Sequence, residues 1–211
     1  MKLWLFDILA CPIDKFFPLN LKIFSYESGE ESLQNHYQIY QKRSLEEIKA
    51  LNLFRISEKD NQNYISDDIF IQEAPLNEYL KLIIESINEL EYITDKTEFE
   101  ISKTVLKLLR TEIKEKIKLF QANPDPGNLE EIFPELFLLN KIKIELEIDT
   151  GLLFCEKCKR WFPIVDSIPQ MLPDEHRKED QETKFLQTNK HLLDEEFLNQ
   201  DLKPFNVSNK H

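Results

Sequence analysis

Residues 151–175 read GLLFCEKCKRWFPIVDSIPQMLPDE and contain the strongest local signal in the chain. Two short apolar runs, 152–155 and 161–165, flank the pair Cys155 and Cys158. Apolar runs on either side of a tight turn predict a β-hairpin. The two cysteines would then lie at its tip, where thiolates three residues apart can bind one metal ion.

A second pair of ligands must come from elsewhere, and the start of the chain supplies one. Cys11 and Asp14 stand in the segment Cys-Pro-Ile-Asp with the same three-residue step. Zinc accepts carboxylate oxygen as well as thiolate sulfur, so the candidate zinc ligands are Cys11, Asp14, Cys155 and Cys158. A metal-free, vestigial knuckle is the main alternative. A redox dithiol is disfavoured, because a redox Cys-x-x-Cys pair normally opens a helix after a strand.

Two further strands are predicted from alternating apolar residues. The segment 17–26 has apolar side chains at positions 19, 21 and 23, and the segment 142–148 has them at every second position. A period of two predicts a strand in both places. Residues 149–151, Asp-Thr-Gly, predict a turn before the hairpin.

The acidic middle of the chain, residues 27–140, has the pattern of a helical domain. Capping signals and apolar residues at helical spacing predict helices over residues 45–53, 75–90, 96–121 and 129–139. The polar segment 57–74 predicts a loop. We therefore expect an α+β fold, in which residues 1–26 and 141–173, which contain the predicted strands, flank an all-helical middle.

The composition of the chain disfavours several classes of protein. It has 27 basic and 39 acidic side chains, a net charge of −12, and only 3 glycines. Phosphate-binding loops need clustered glycines, and nucleic-acid binding needs clustered cations. No nucleophile or general base has a recognisable context. No apolar stretch reaches the length of about 20 residues that a membrane helix needs, and no signal peptide is recognised, so we expect a cytoplasmic protein.

Two segments near the C-terminus leave alternatives open. Residues 161–173 are densely apolar and hold three prolines, which suits an edge strand followed by an extended arm. This arm would either add a strand to a partner's sheet or close the module's own core. Residues 174–211 form a polar tail that we expect to be partly helical or disordered, and either docked or mobile.

The segments MKLWLFDILACPIDKFFPL (residues 1–19) and 151–175 resemble the small zinc-ribbon activator subunit of tRNA, rRNA and translation-factor methyltransferases. The pattern that carries the resemblance is Cys-x-x-Cys, then aromatic-Pro-Ile, then Ile-Pro-x-Met-Leu. The resemblance implies a non-catalytic protein that forms heterodimers with class I S-adenosylmethionine-dependent methyltransferases. This chain would bind zinc, whereas the partner would bind S-adenosylmethionine and contact the RNA. Some members of the family carry a helical insert at the position of residues 27–140. The resemblance therefore implies that residues 1–26 and 141–173 form a zinc-ribbon-like β module around an inserted all-helical domain.

Two sets of residues follow from the resemblance. The metal ligands would be Cys11, Cys155 and Cys158, and Asp14 stands near the position where other members place a second cysteine. Strand addition to the partner would use Phe162, Pro163, Ile164, Val165, Ile168, Pro169, Met171 and Leu172.

Two other functions remain open on sequence alone. A zinc-ribbon nucleic-acid-binding module would rely on the small basic cluster Lys157, Lys159 and Arg160. A helical scaffold with a vestigial metal knuckle would bind some unrelated partner.

Overall fold

The computed structural model describes residues 1–27, 29–60 and 62–206. The helices are α1 (Leu3–Phe6), α2 (Glu30–Lys42), α3 (Leu45–Ala50), α4 (Leu76–Glu89), α5 (Glu100–Leu108), α6 (Lys114–Ala122), α7 (Phe133–Glu145), α8 (Glu179–Thr188) and α9 (Glu195–Leu198). The strands are β1 (Asn20–Tyr26), β2 (Arg55–Lys59), β3 (Gln62–Ser66), β4 (Ala74–Pro75), β5 (Ile93–Asp95), β6 (Ile148–Phe154), β7 (Trp161–Val165) and β8 (Ile168–Pro169). Within these residues, no helix combines the length and apolar character needed to cross a bilayer.

The main sheet has five strands in the order β5-β1-β6-β7-β8. Strand β1 pairs antiparallel with β6 and parallel with β5, and β6 forms the predicted hairpin with β7. Both ends of the chain therefore contribute to one sheet, and the α+β fold class is confirmed.

Apolar side chains cover both faces of this sheet, because successive residues of a strand point to opposite sides. One face packs against the helices of the insert through Leu21, Ile23, Leu153, Phe162 and Ile164. The opposite face, which we call the outer face, carries Phe24, Leu152, Phe154 and Trp161.

Helix α7 shows that the strand predicted over 142–148 is wrong. Residues 142–145 form the last turn of α7, and of the predicted strand only Ile148 belongs to β6. The segment 136–139 of α7 is completely buried, so the helix is surrounded by the core. A helix buried all round has apolar residues on every face and lacks a helical period. The apolar residues of α7 therefore show no helical spacing, and in its last turn, residues 142–145, apolar and charged residues alternate as they would in a strand.

Gly151 corrects the predicted turn over 149–151. It lies within β6, opposite Ile23 of β1, beside a shift in the strand register. A Cβ atom at this position would be 2.8 Å from the carbonyl oxygen of Lys22. Glycine is needed here because the two backbones approach too closely for any side chain.

The insert is not wholly helical, and the loop predicted over 57–74 is also wrong. Strands β2 and β3 form an antiparallel hairpin, and β4 completes a separate three-stranded sheet. Most residues of β2 are exposed, so its composition is polar on both faces. Such a strand lacks the alternation by which strands are recognised. The insert also supplies β5 to the main sheet.

A buried ion pair joins helix α7 to the start of the chain. Lys143 of α7 is fully buried, and its Nζ donates a hydrogen bond to Asp7 Oδ1 at 2.5 Å. The hydroxyl of Ser86 in α4 donates to Asp7 Oδ2 at 2.8 Å. Burial lowers the pKa of Lys143, and the negative charge of Asp7 opposes that shift. One apolar core includes residues of the insert and of the β module, so the two pack as a single body.

The described part of the tail, residues 174–206, lies against the outer face of the sheet. Its large apolar side chains there are Leu186, Leu193, Phe197 and Leu202. The indole Nε1 of Trp161 donates to the carbonyl of Phe205 at 3.0 Å. Residues 207–211 of the predicted tail lie outside the described residues.

Asp194 in the tail forms ion pairs with Lys22 of β1 and with Lys96. Its carboxylate accepts hydrogen bonds from Lys96 at 2.6 Å and from Lys22 at 2.9 Å. These bonds lower the pKa of Asp194 from an ordinary 3.8 to about 2. A carboxyl whose pKa is lower in the folded state stabilises that state above its unfolded pKa, and the effect is lost as the pH falls through the folded pKa.

We expect Asp194→Asn to destabilise the protein at neutral pH and to flatten the fall in stability between about pH 4 and pH 2. Urea unfolding followed by tryptophan fluorescence across this pH range would measure both effects. Asp201→Asn is the matched control, because the carboxylate of Asp201 is 4.0 Å from Lys203 and exposed. Equal pH profiles for Asp194→Asn and the wild type would contradict the assigned role of Asp194.

Candidate metal centre and apolar edge

Two tight turns of the same shape form the candidate metal centre, one at residues 11–14 and one at residues 155–158. The backbone N–H of the next residue, Lys15 or Lys159, donates to the carbonyl of the cysteine that begins the turn, at 2.9 Å in both. The N–H of that cysteine donates to the carbonyl five residues later, at 2.9 and 2.8 Å. Lys15 and Lys159 have φ angles of 58° and 57°.

This shared conformation is informative because left-handed φ angles are uncommon for residues other than glycine. Strained backbone of this kind persists where the surrounding structure holds it, often at binding sites. Asp14 keeps the turn although it replaces a thiol with a carboxylate, and its Oδ1 accepts the N–H of Phe16 at 3.1 Å. The turn at 11–14 therefore has the backbone of a metal knuckle.

The two turns bring together the four residues that the sequence singled out. The donor atoms of Cys11, Asp14, Cys155 and Cys158 all lie within 4.8 Å of one another. Cys11 Sγ is 3.6 Å from Cys158 Sγ, and Cys155 Sγ is 3.6 Å from Asp14 Oδ1. Ligand atoms around one tetrahedral ion lie roughly 3.3–3.8 Å apart, given metal–ligand bonds of about 2.0–2.3 Å. The site therefore fits a single metal ion.

The thiols of the site differ in acidity. Burial raises the pKa of Cys11, and it raises the pKa of Cys155 to about 12. Burial alone would also raise the pKa of Cys158, but hydrogen bonds from the backbone and side chain of Arg160 lower it below the ordinary value. Because a metal binds the thiolate, binding must release protons from Cys11 and Cys155.

The eight residues predicted to bind a partner do not share one environment. Phe162 and Ile164 are completely buried in the core of this chain, and Pro163 is also buried. Pro169 and Met171 are partly buried, and Met171 packs against the core. Three residues are exposed, namely Val165, Ile168 and Leu172, at 37%, 59% and 42%.

These exposed side chains lie at an edge of the main sheet. Strand β8 is the last strand in the order and pairs only with β7, through Pro169 opposite Ile164 and Ile168 opposite Val165. The N–H of Gln170 donates to the carbonyl of Pro163 at 2.8 Å, which continues the pairing by one residue. We call residues 165–172 the apolar edge.

Four exposed apolar side chains near the start of the chain were missed by the sequence reasoning: Trp4, Ile8, Ile13 and Phe17. Helix α1 has only four residues and buries Leu3 and Phe6. A helix this short shows no period, so its exposed and buried residues cannot be separated by pattern. The sequence did contain one signal, because residues 1–17 hold more apolar side chains than one helical turn can bury.

Two matching turns carry the candidate ligands, one on a hairpin and the other before the strand that pairs with that hairpin, and this arrangement is consistent with a zinc-ribbon-like module. A family model described as Trm112p-like protein matches residues 2–167, and the chain belongs to this family. This confirms the resemblance stated from the sequence. Membership implies a general role in activating methyltransferases. The match ends at Ser167, before Ile168 and Leu172. Neither curated proteins nor solved structures give a significant match.

Proposed function

We propose that this chain is a non-catalytic subunit that activates and stabilises class I S-adenosylmethionine-dependent methyltransferases, which modify tRNA, rRNA and a translation release factor. The family match over residues 2–167 carries the proposal. The partner binds S-adenosylmethionine and the RNA, and the heterodimer acts in the cytoplasm. This chain donates no catalytic residue.

The apolar edge is the surface that we assign to the partner. Strand β8 has no neighbour on its outer side in the described chain, and an open strand edge can continue the sheet of another protein. Val165, Ile168 and Leu172 would cover apolar surface of the methyltransferase. Phe162, Pro163 and Ile164 are left out of the proposed surface because this chain buries them itself.

The basic cluster gives little support to direct RNA binding by this chain. Lys159 pairs with Glu156 at 2.9 Å, and Arg160 pairs with Asp174 at 2.8 Å. Two of the three cations are therefore neutralised locally, and the net charge of −12 repels a polyanion.

Co-expression with each class I methyltransferase of the same organism tests the proposal. We expect at least one of them to co-elute with this chain in size exclusion at equal stoichiometry, and to transfer methyl groups faster than the enzyme alone. If none co-elutes, the scaffold with an unrelated partner becomes the better interpretation.

We further propose that Cys11, Asp14, Cys155 and Cys158 bind zinc. Loss of a group that only orients a metal ligand lowers metal affinity by about 10–100-fold. Because Asp14→Ala removes a proposed ligand itself, we expect it to lower zinc affinity at least as much. Titration with Co²⁺ and competition by Zn²⁺ would measure affinity and reveal thiolate ligation by absorption. Asp14→Cys should restore or strengthen binding, whereas equal affinity of Asp14→Ala and the wild type would exclude the carboxylate as a ligand.

A further inference from the structure

A cleft of about 620 Å³ separates the apolar edge from tail helix α8. Pro163 and Val165 of β7, Leu172, and Phe185 of α8 supply its apolar lining. Its volume falls in the range of ligand sites, about 300–1,000 Å³. Most of the lining residues follow residue 167, where the family match ends, so the cleft is a feature of this chain's own C-terminal segment.

Lysine and arginine outnumber carboxylates among the residues that line the cleft, three to one, in a chain whose net charge is −12. Lys178 and Lys184 line it, are exposed, and form no ion pair within the described residues. Glu182 is the one carboxylate among the described lining residues, and both of its oxygens accept hydrogen bonds from Arg177. The cleft therefore presents uncompensated positive charge beside apolar surface.

Arg177 is a buried donor in the wall of the cleft, only 7% exposed. Its Nε donates to Glu182, and its Nη2 donates to the carbonyl of Trp161 at 2.7 Å. Its Nη1 has no hydrogen-bond partner among the described residues. Its guanidinium carbon lies 5.2 Å from the ring centroids of Trp161 and Phe162, so the buried cation is held against aromatic rings in the wall of the cleft.

We propose that this cleft binds an acidic peptide segment of a partner protein. An apolar side chain of the peptide would lie on the exposed side chains of Val165 and Leu172, and its carboxylates would approach Lys178 and Lys184. The cleft shares Val165 and Leu172 with the apolar edge, whereas Lys178 and Lys184 line the cleft and lie outside that edge. The two sites can therefore be tested separately, and this inference does not rest on methyltransferase activation.

A peptide fits the lining better than RNA does. Single-stranded RNA is bound by aromatic platforms on which bases stack, together with a continuous basic groove. The aromatic rings among the described lining residues are those of Phe185 and His176, and the ring of Phe185 already contacts Trp161 and Phe24 at centroid distances of 6.2 Å. The aliphatic side chains and the two lysines that line the cleft suit a peptide that carries both apolar and acidic residues.

The test is selection of short random peptides displayed on phage against the full chain, followed by anisotropy measurements with the best labelled peptide. We expect enrichment of Asp and Glu around an apolar residue, and binding that weakens as salt rises. The double variant Lys178→Glu, Lys184→Glu should weaken binding by roughly tenfold or more. The variant should keep helix α8 folded, because Lys178→Glu places a carboxylate just before its first turn, where a negative charge stabilises a helix.

The matched control is Lys81→Glu with Lys107→Glu, which makes the same charge change on exposed lysines of α4 and α5. It should bind the peptide as the wild type does. The inference is overturned if no acidic sequences are enriched, or if the two double variants bind equally. It is also overturned if a uridine oligonucleotide binds more tightly than any peptide and loses binding in the Lys178 and Lys184 variant, since the cleft would then be a nucleic-acid site.

Discussion

Truncation after Pro173 is expected to remove most of the free energy of unfolding of this protein. The tail covers four large apolar side chains of the outer face, namely Phe24, Leu152, Phe154 and Trp161. Burial of each such side chain is worth about 1.5–3 kcal/mol, so their exposure costs at most about 6–12 kcal/mol. Whole domains are stable by only about 5–15 kcal/mol. The truncated chain should therefore be partly unfolded or aggregated at room temperature.

Circular dichroism melts and binding of a hydrophobic dye would measure this loss. A chain that ends at Asn206 is the control, because it keeps the described contacts of the tail with the sheet. A truncated protein that melts cooperatively near the temperature of this control would show that the tail contributes little to stability.

Loss of partner binding is the second large effect that we expect, from Ile168→Asp combined with Leu172→Asp. Each carboxylate would be buried without a partner at an apolar interface, and truncation of one central interface residue commonly costs 2 kcal/mol or more. Affinity for a co-expressed methyltransferase should fall on the order of 100-fold or more. The stability of the isolated chain should change by no more than about 0.5 kcal/mol per exposed site.

The insert offers a matched control for this pair, Ile71→Asp with Leu119→Asp. Ile71 and Leu119 are 78% and 74% exposed and lie outside the apolar edge. Co-elution with the methyltransferase should survive these changes. Met171 is a poorer probe, because its side chain packs against the core and its replacement would also affect folding. Undiminished co-elution of the Ile168 and Leu172 variant would remove the apolar edge from the interface.

Local signals allowed the sequence to predict the hairpin and the four residues that the structure brings together as a candidate metal site. The hairpin of β6 and β7 joins strands that are close in sequence, and Cys155 and Cys158 mark its tip. The three-residue step identified Cys11 and Asp14 as a second pair, and the structure brings all four donors together. The left-handed backbone at Lys15 and Lys159 has no sequence signal, because lysine gives no sign of a positive φ.

Features that depend on distant parts of the chain were not predictable in this way. The last turn of α7 reads as a strand because the core surrounds the helix on all sides. Strand β2 reads as a loop because nearly all of its residues are exposed. Phe162 and Ile168 lie in the same apolar run, yet the first is buried and the second is exposed. Which of these two side chains stays exposed depends on the helices that pack against the sheet.

The position of β1 in the sheet has a consequence for synthesis on the ribosome. Leu21 pairs with Leu153, which is translated more than a hundred residues later, so the central pairing of the module forms only when most of the chain has emerged. Pairings this distant in sequence slow folding and leave strand edges exposed to aggregation. Strand β5 is made much earlier and pairs with the other edge of β1 through Ile93 opposite Leu21. Because the insert contains β5, strand β1 has a pairing partner that is synthesised well before β6.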